Sequence, residues 1–399
     1  MKSIVTCLVC FILFGALSTK AEEKPDPNFF PIMAWNNIPG DPAVMKKLHD
    51  CGFTVAGFVY AKDLDVCHAA GMKAIVSDPR CGGYDWTKVD EATARKNIES
   101  LVKEVGNHPA VYGYYLRDEP SADMFAGLEK VAKQIRELSP GKWAYIDLFP
   151  NYAIAEQMQE PSYDAYVEKF IATCHPPQLA YDHYALMQDG SLRNGYWQNL
   201  EAMRKAAVKH KLPFWNIVLS VGTMDYRIPT WDDLRFQAYS TLCYGGRGIA
   251  YFTYFCPGVG SYRGAPIDQF GNATETWSHL QNVNLQILKL APTLNRLTSD
   301  DVYFIGAVPH ACHGPKENDL VKNVAGGNFC VGDFTHEDGS RYVMIVNNDL
   351  KYAHAVRPEY RKPPKRVQMV SPYDGQLTAY EGEQMWLAPG QGRLLKLEY

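Results

Sequence analysis

An excess of either charge is missing from this chain: 40 Lys and Arg stand against 44 Asp and Glu, a formal net charge of −4 over 399 residues. Without a basic surface, neither nucleic acid nor anionic lipid is an expected partner. HExxH is also absent, and no Gly-rich phosphate loop follows a strand. The nearest approach to a metal motif, His310-Ala311-Cys312-His313, has no partner cluster and reads as plain loop. Lys73 and Lys142 lie at the starts of their strands, the wrong end for a Schiff-base aldolase. Low-complexity tracts and internal repeats are lacking as well.

Long apolar runs are confined to Met1 to Ala21, where Lys2 precedes Ile4 to Leu17 and Ser18-Thr19-Lys20-Ala21 follows. That run is short for a membrane span and has the layout of a secretory signal. A lipid anchor on Cys10 would want a small residue where Val9 stands. The mature protein is therefore expected to be exported, periplasmic or secreted, with no transmembrane segment. Beyond the signal come Cys51, Cys67, Cys81, Cys174, Cys243, Cys256, Cys312 and Cys330, with no CxxC among them. An even number in an oxidising compartment permits disulfides without fixing their pairing.

Present instead are 46% apolar residues, enough for a large core, and 13% aromatics that gather near the ends of predicted strands. From residue 29 short apolar runs alternate with helical stretches, the pattern of βα units around a parallel sheet. The expected strands are Phe30 to Trp35, Thr54 to Tyr60, Lys73 to Ser77, Val111 to Leu116, Trp143 to Leu148, Leu179 to Leu186, Phe214 to Val221 and Gly248 to Phe255. Helices with apolar spacings of three and four lie between them, as at Glu91 to Val105, Met124 to Leu138, Leu200 to His210 and Asp232 to Tyr244. Eight such units predict a (β/α)8 TIM barrel over residues 26–298. Short strands with turns follow, including the hairpin turn His336-Glu337-Asp338-Gly339, and predict a small all-β sandwich over 300–399.

The fourth strand, Val111-Tyr112-Gly113-Tyr114-Tyr115-Leu116, runs straight into Arg117-Asp118-Glu119-Pro120. Pro120 pushes Glu119 away from helical geometry, so the acids sit at a sharp strand exit. In a TIM barrel the C-terminal strand ends form the open mouth that carries catalytic residues. The other strand ends add Trp35, Asn36, Asp78, Arg80, Asp147, Asp182, His183, Tyr184 and Tyr254. Carboxylates, amides and aromatics of this kind suit a hydroxyl-rich sugar and proton delivery to a glycosidic oxygen. Adjacent Asp118 and Glu119 resist joint ionisation, which fits a proton donor of raised pKa. Both acids could equally bind loop amides or pair with Arg117.

Leu116-Arg117-Asp118-Glu119-Pro120 resembles the Asn-Glu-Pro signature of the (β/α)8 glycoside hydrolase clan that includes β-galactosidases and cellulases. Tyr251-Phe252-Thr253-Tyr254-Phe255 on the eighth strand and Trp386-Leu387-Ala388-Pro389-Gly390 near the end are similar to such enzymes too. The resemblance implies that Glu119 is the acid/base and that position 118 contacts the sugar 2-hydroxyl. This sequence departs from the clan in two places: Asp118 replaces Asn, and the seventh strand ends Leu219-Ser220-Val221-Gly222, without the nucleophile Glu. Asp182 or Asp225 could supply the second carboxylate, or the substrate could supply its own nucleophile. Adjacent Asp-Glu resembles hexosaminidases that use the 2-acetamido group, and Tyr181-Asp182 resembles the sixth-strand motif of chitinase-like barrels. Asp147 and Glu275 are lesser candidates.

The expectation is an exported glycoside hydrolase with Glu119 as general acid, Asp118 as its neighbour and sugar contact, and Asp182 as second carboxylate. Trp35, Asn36, Arg117, His183, Tyr184 and Tyr254 are the expected substrate contacts. No cofactor or metal is implied. The alternative is a glycan-binding barrel that has lost its second carboxylate.

Overall fold

The computed structural model describes residues 26–399. The signal-like segment Met1 to Ala21 lies outside the described residues. Eight parallel strands form the barrel: β1 (Ile32–Ala34), β2 (Val55–Val59), β3 (Lys73–Val76), β4 (Val111–Asp118), β5 (Trp143–Asp147), β6 (Leu179–Asp182), β7 (Phe214–Leu219) and β8 (Gly248–Phe252). Their order runs β5-β4-β3-β2-β1-β8-β7-β6. The remaining seam is joined just past β5, where the Leu148 amide donates to Ala180 O at 2.8 Å.

Side chains alternate along each strand between the helix layer and the barrel interior. The interior is filled by Met33, Ile75, Trp143, Tyr145, Trp215 and Ile217, among others. Trp143 and Trp215 meet edge to face with centroids 4.9 Å apart. Gly248 makes room for this packing, since a Cβ there would sit 2.5 Å from the Trp215 indole. The closed lower barrel is thus a packed aromatic plug, and only its upper end is open to chemistry.

One strand breaks the alternation. On β4, Tyr115 pairs with Tyr145 and Asp118 with Asp147, with a register shift between Tyr115 and Arg117. The extra residue of this bulge puts Tyr115 and Asp118, three apart, on the same face. Asp118 therefore belongs to the strand and faces the interior with Asp147, whereas the sequence pattern ended that strand at Leu116. Conversely, β6 stops at Asp182 and β8 at Phe252, each shorter than the apolar run suggested.

The C-terminal region begins at the strand Leu297–Ile305 and is antiparallel. Its six-stranded sheet is accompanied by two short two-stranded ribbons. Phe329–His336 and Arg341–Asn347 form the expected hairpin, with Gly339 at φ 84° in its turn. The barrel helix Trp231–Cys243 lies between β7 and this sheet, and every residue from Asp233 to Cys243 is buried. A helix covered on both sides cannot be strictly amphipathic, so its polar residues need partners. Gln237 bonds the Leu219 amide and carbonyl, both at 3.0 Å, and Thr241 accepts from Asn216 at 2.9 Å. All eight described cysteines are free thiols; Cys243 and Cys330, at the contact of this helix with the sheet, have Sγ atoms 3.6 Å apart. Among the described residues no helix is long and apolar enough to cross a membrane.

Candidate active site

Four carboxyl groups meet at the open end of the barrel: Asp118 at the end of β4, Glu119 just past it, Asp147 from β5 and Asp182 from β6. The alternation that fills the interior also explains the last two. Trp143, Tyr145 and Asp147 follow one another at spacing two on β5, as Ala180 and Asp182 do on β6. Asp147 and Asp182 are only 1% and 6% exposed, while Asp118 and Glu119 are half-buried.

Charge in this cluster is limited by proton sharing. Asp118 lies within hydrogen-bonding reach of Asp147, and Glu119 within reach of Asp182. Burial pushes the Asp147 carboxyl well above the ordinary range, helped by the field of Asp118. Burial does the same to Asp182, with the charges of Glu119 and Asp118 adding to it. Glu119 is pushed up to about 7 by burial and then by Asp118, while its hydrogen bond with Asp182 works in the opposite direction. Two carboxyls in contact can bind one proton between them far more readily than they can lose both. Among the described residues no group of acids, histidines or cysteines is arranged to hold a metal ion.

Glu119 is held in an unusual backbone. Its φ is 44°, left-handed and without the glycine that normally occupies that region. Such a conformation costs roughly 1–3 kcal/mol and persists only when neighbours over-determine it. Two buried contacts do so here. The Glu119 amide donates to Asp147 O at 3.0 Å, and the Tyr166 hydroxyl donates to Pro120 O at 2.6 Å. Tyr166→Phe removes the second clamp and leaves a buried carbonyl unpaired. It is expected to lower stability by about 1 kcal/mol, read as a shift of the urea midpoint with an unchanged slope. An unshifted midpoint would mean that the turn is fixed without Tyr166.

Aromatic rings wall the acids. Phe58 stacks on Tyr115 with centroids 3.9 Å apart, and Trp35 meets Phe58 edge-on at 5.1 Å. Tyr184 stacks on Phe252 at 5.4 Å, and Trp35 reaches the other end of that group at 5.5 Å from Phe252. Trp35 Nε1 and Tyr145 Oη are buried within reach of each other, close to Asp147. Carboxyls and aromatic rings gathered at one end of the barrel are what a polyhydroxylated ligand could engage.

Not every expected contact joins this group. Arg117 is exposed on the outer side of the bulge and forms no ion pair among the described residues. Tyr254 is buried between the barrel and its helices, accepting a hydrogen bond from Trp277 at 3.2 Å. His183 is turned into the helix layer, 3.0 Å from Asn199 Oδ1. The Asn151 amide donates to that same oxygen at 2.8 Å, which fixes the Asn199 amide and places the His183 proton on Nδ1. Burial lowers the His183 pKa to about 4, so the ring is neutral. Asn36, half-buried at φ 146°, uses its side chain on the Asn37 amide at 2.8 Å. Asp78 and Arg80 pair with each other at 2.8 Å rather than with the cluster. Asp225 and Glu275 are exposed, and Glu275 lies beside His279 on its helix. At the end of β7, Leu219 and Val221 pack with Tyr226, Cys256 and Ala265, an apolar patch with no acid in it.

No protein-family model matches this chain, and neither does any curated protein. Solved structures do resemble it. A glycoside hydrolase family 5 protein from Bacteroides vulgatus ATCC 8482 superposes with a TM-score of 0.58 at 12% identity, covering 93% of this chain and 89% of that one. A second structure, titled simply glycoside hydrolase, gives 0.60 at 13% identity over 93% of both chains. A β-galactosidase from the psychrophilic Marinomonas ef1 gives 0.50 at 12% identity, and there the match spans 65% of this chain and 60% of the other. At such identities the likeness establishes a shared fold, that of glycoside hydrolase barrels.

Proposed function

We propose that this protein is an exported glycoside hydrolase acting on a poly- or oligosaccharide, with Glu119 as general acid. The observation that carries the reading is Glu119 itself: a carboxyl at a β4 terminus in the barrel mouth, raised to about 7 and in proton-sharing contact with Asp182. Glycosidic cleavage needs a protonated acid at the leaving oxygen and a second group at the anomeric carbon. Glu119 gives its proton to that oxygen as the C–O bond breaks, the bonding pair leaving with the oxygen. Asp118, beside it on the strand, contacts the sugar.

Asp182 is the second carboxylate. A retaining pair stands roughly 5–5.5 Å apart and an inverting pair roughly 6.5–9.5 Å, the wider gap leaving room for a water. The entering leaving-group oxygen replaces Asp182 as the partner of Glu119 and parts the two carboxyls. The proton of the pair goes with Glu119, so that Asp182, as the carboxylate, bonds to the anomeric carbon or takes a proton from water. A substrate-supplied nucleophile is the second reading, favoured by the apolar end of β7. It requires a 2-acetamido sugar, so activity confined to such substrates would select it.

The deciding experiment is reducing-sugar release from a panel of plant, microbial and host glycans. Release establishes hydrolysis and its substrate class; binding to a glycan without release by the wild-type protein would leave a glycan-binding barrel. The pH profile carries a further expectation. A general acid must be protonated, so kcat should fall tenfold per pH unit above about 7, where Glu119 ionises. A profile flat from pH 6 to 9 would remove Glu119 from the acid role.

A further inference from the structure

A guanidinium on the loop after β6 has no acid paired with it among the described residues. Arg193 Cζ lies over the Tyr152 ring at 4.1 Å and near the Tyr226 ring at 5.4 Å. It forms no ion pair among the described residues, and its buried Nε has no hydrogen-bond partner. Stacking engages the face of the guanidinium and leaves the N–H donors in its plane. Its place at the site follows from shared neighbours. Tyr152 feels the charges of both Asp182 and Arg193, and Tyr226 meets Tyr184 edge-on at 5.8 Å.

The loop that presents it is tied down. The Arg193 amide donates to Ala185 O at 2.7 Å, three residues beyond Asp182, and Leu186 pairs with Leu192. Arg227 fastens the tip by donating to Met187 O at 2.8 Å and Ser191 O at 3.2 Å. A cation held this way is pre-organised, and proton sharing among the nearby acids reduces the charge that would otherwise repel an anion.

We propose that Arg193 determines specificity by binding the carboxylate of a uronic acid residue, so that the substrate is an acidic glycan. The inference rests on the glycoside hydrolase reading for the word substrate, but the contact itself is a binding claim. A planar carboxylate matches the in-plane donors of a guanidinium bidentately, which a neutral hydroxymethyl group cannot do.

The test is calorimetric binding to Glu119→Gln, Glu119→Gln/Arg193→Met and Glu119→Gln/Arg193→Lys, so that turnover does not interfere. The probes are oligogalacturonates and oligoglucuronates, their carboxyl-reduced counterparts, and a sulfated oligosaccharide without uronate. Arg193→Met should weaken uronate binding by about 10- to 100-fold and leave the reduced probes unchanged. Arg193→Lys, which keeps the charge and loses the fork, should weaken uronate binding to an intermediate degree and provides the reading if the Met variant fails to fold. Equal binding of uronate and reduced probes, loss of both on substitution, or Arg193-dependent binding of the sulfated probe alone would each overturn the proposal. Arg193-dependent uronate binding by a wild-type protein that cleaves none of these probes would instead count against the hydrolase reading and leave this one standing.

Discussion

Glu119→Gln is expected to lower kcat on an unactivated glycoside roughly 10³-fold while leaving KM within about threefold. Gln keeps the size and hydrogen-bonding capacity of the side chain and loses only the transferable proton. The loss should depend on the leaving group. An aryl glycoside with an acidic phenol departs without protonation, so the variant should retain most of its rate on that substrate. That split separates a lost proton from a disturbed turn, because a misplaced loop would slow both substrates alike. The concern is real at this residue: Glu119 has φ 44°, and its amide is tied to Asp147 O. Wild-type hydrolysis matched by the variant on both substrates would end the assignment, and the proton would have to come from another of the buried acids.

The barrel was legible because each of its strands is an apolar run followed by a helix with a clear apolar face. The acids of the mouth were legible for a related reason. Aromatic residues at spacing two lead to Asp147 on β5, and β6 carries Asp182 at its end, so the interior face can be followed upward by eye. Three things escaped this reading. The β4 bulge shifts the parity that places Asp118 inside, and no local residue pattern announces it. His183 and Tyr254 lie beside interior positions, but their side chains belong to the helix layer, where Asn199 and Trp277 hold them. Arg193 lies on a loop whose path is set by long-range contacts to Ala185 and Arg227, so sequence spacing says nothing of its neighbours.

The acid cluster has a thermodynamic consequence that Asp182→Asn should expose. Burial and the charges of Glu119 and Asp118 raise the Asp182 pKa over that of the unfolded chain. Between the two pKa values the folded state binds more protons than the unfolded state, and stability falls as pH rises. The group therefore costs nothing below about pH 4, the unfolded value, and its penalty grows as pH rises from there toward the folded pKa. An amide at this position does not titrate, and its NH2 can still donate to Glu119. The variant should melt a few degrees above wild type at pH 8 and close to wild type at pH 4. Activity should move the other way, with kcat reduced roughly 10²-fold or more once the second carboxylate is gone. An unchanged melting temperature at pH 8 would show that Asp182 ionises without penalty. A stabilised variant with full activity would show that the repulsion is real but that Asp182 takes no part in the reaction, which would favour a nucleophile supplied by the substrate.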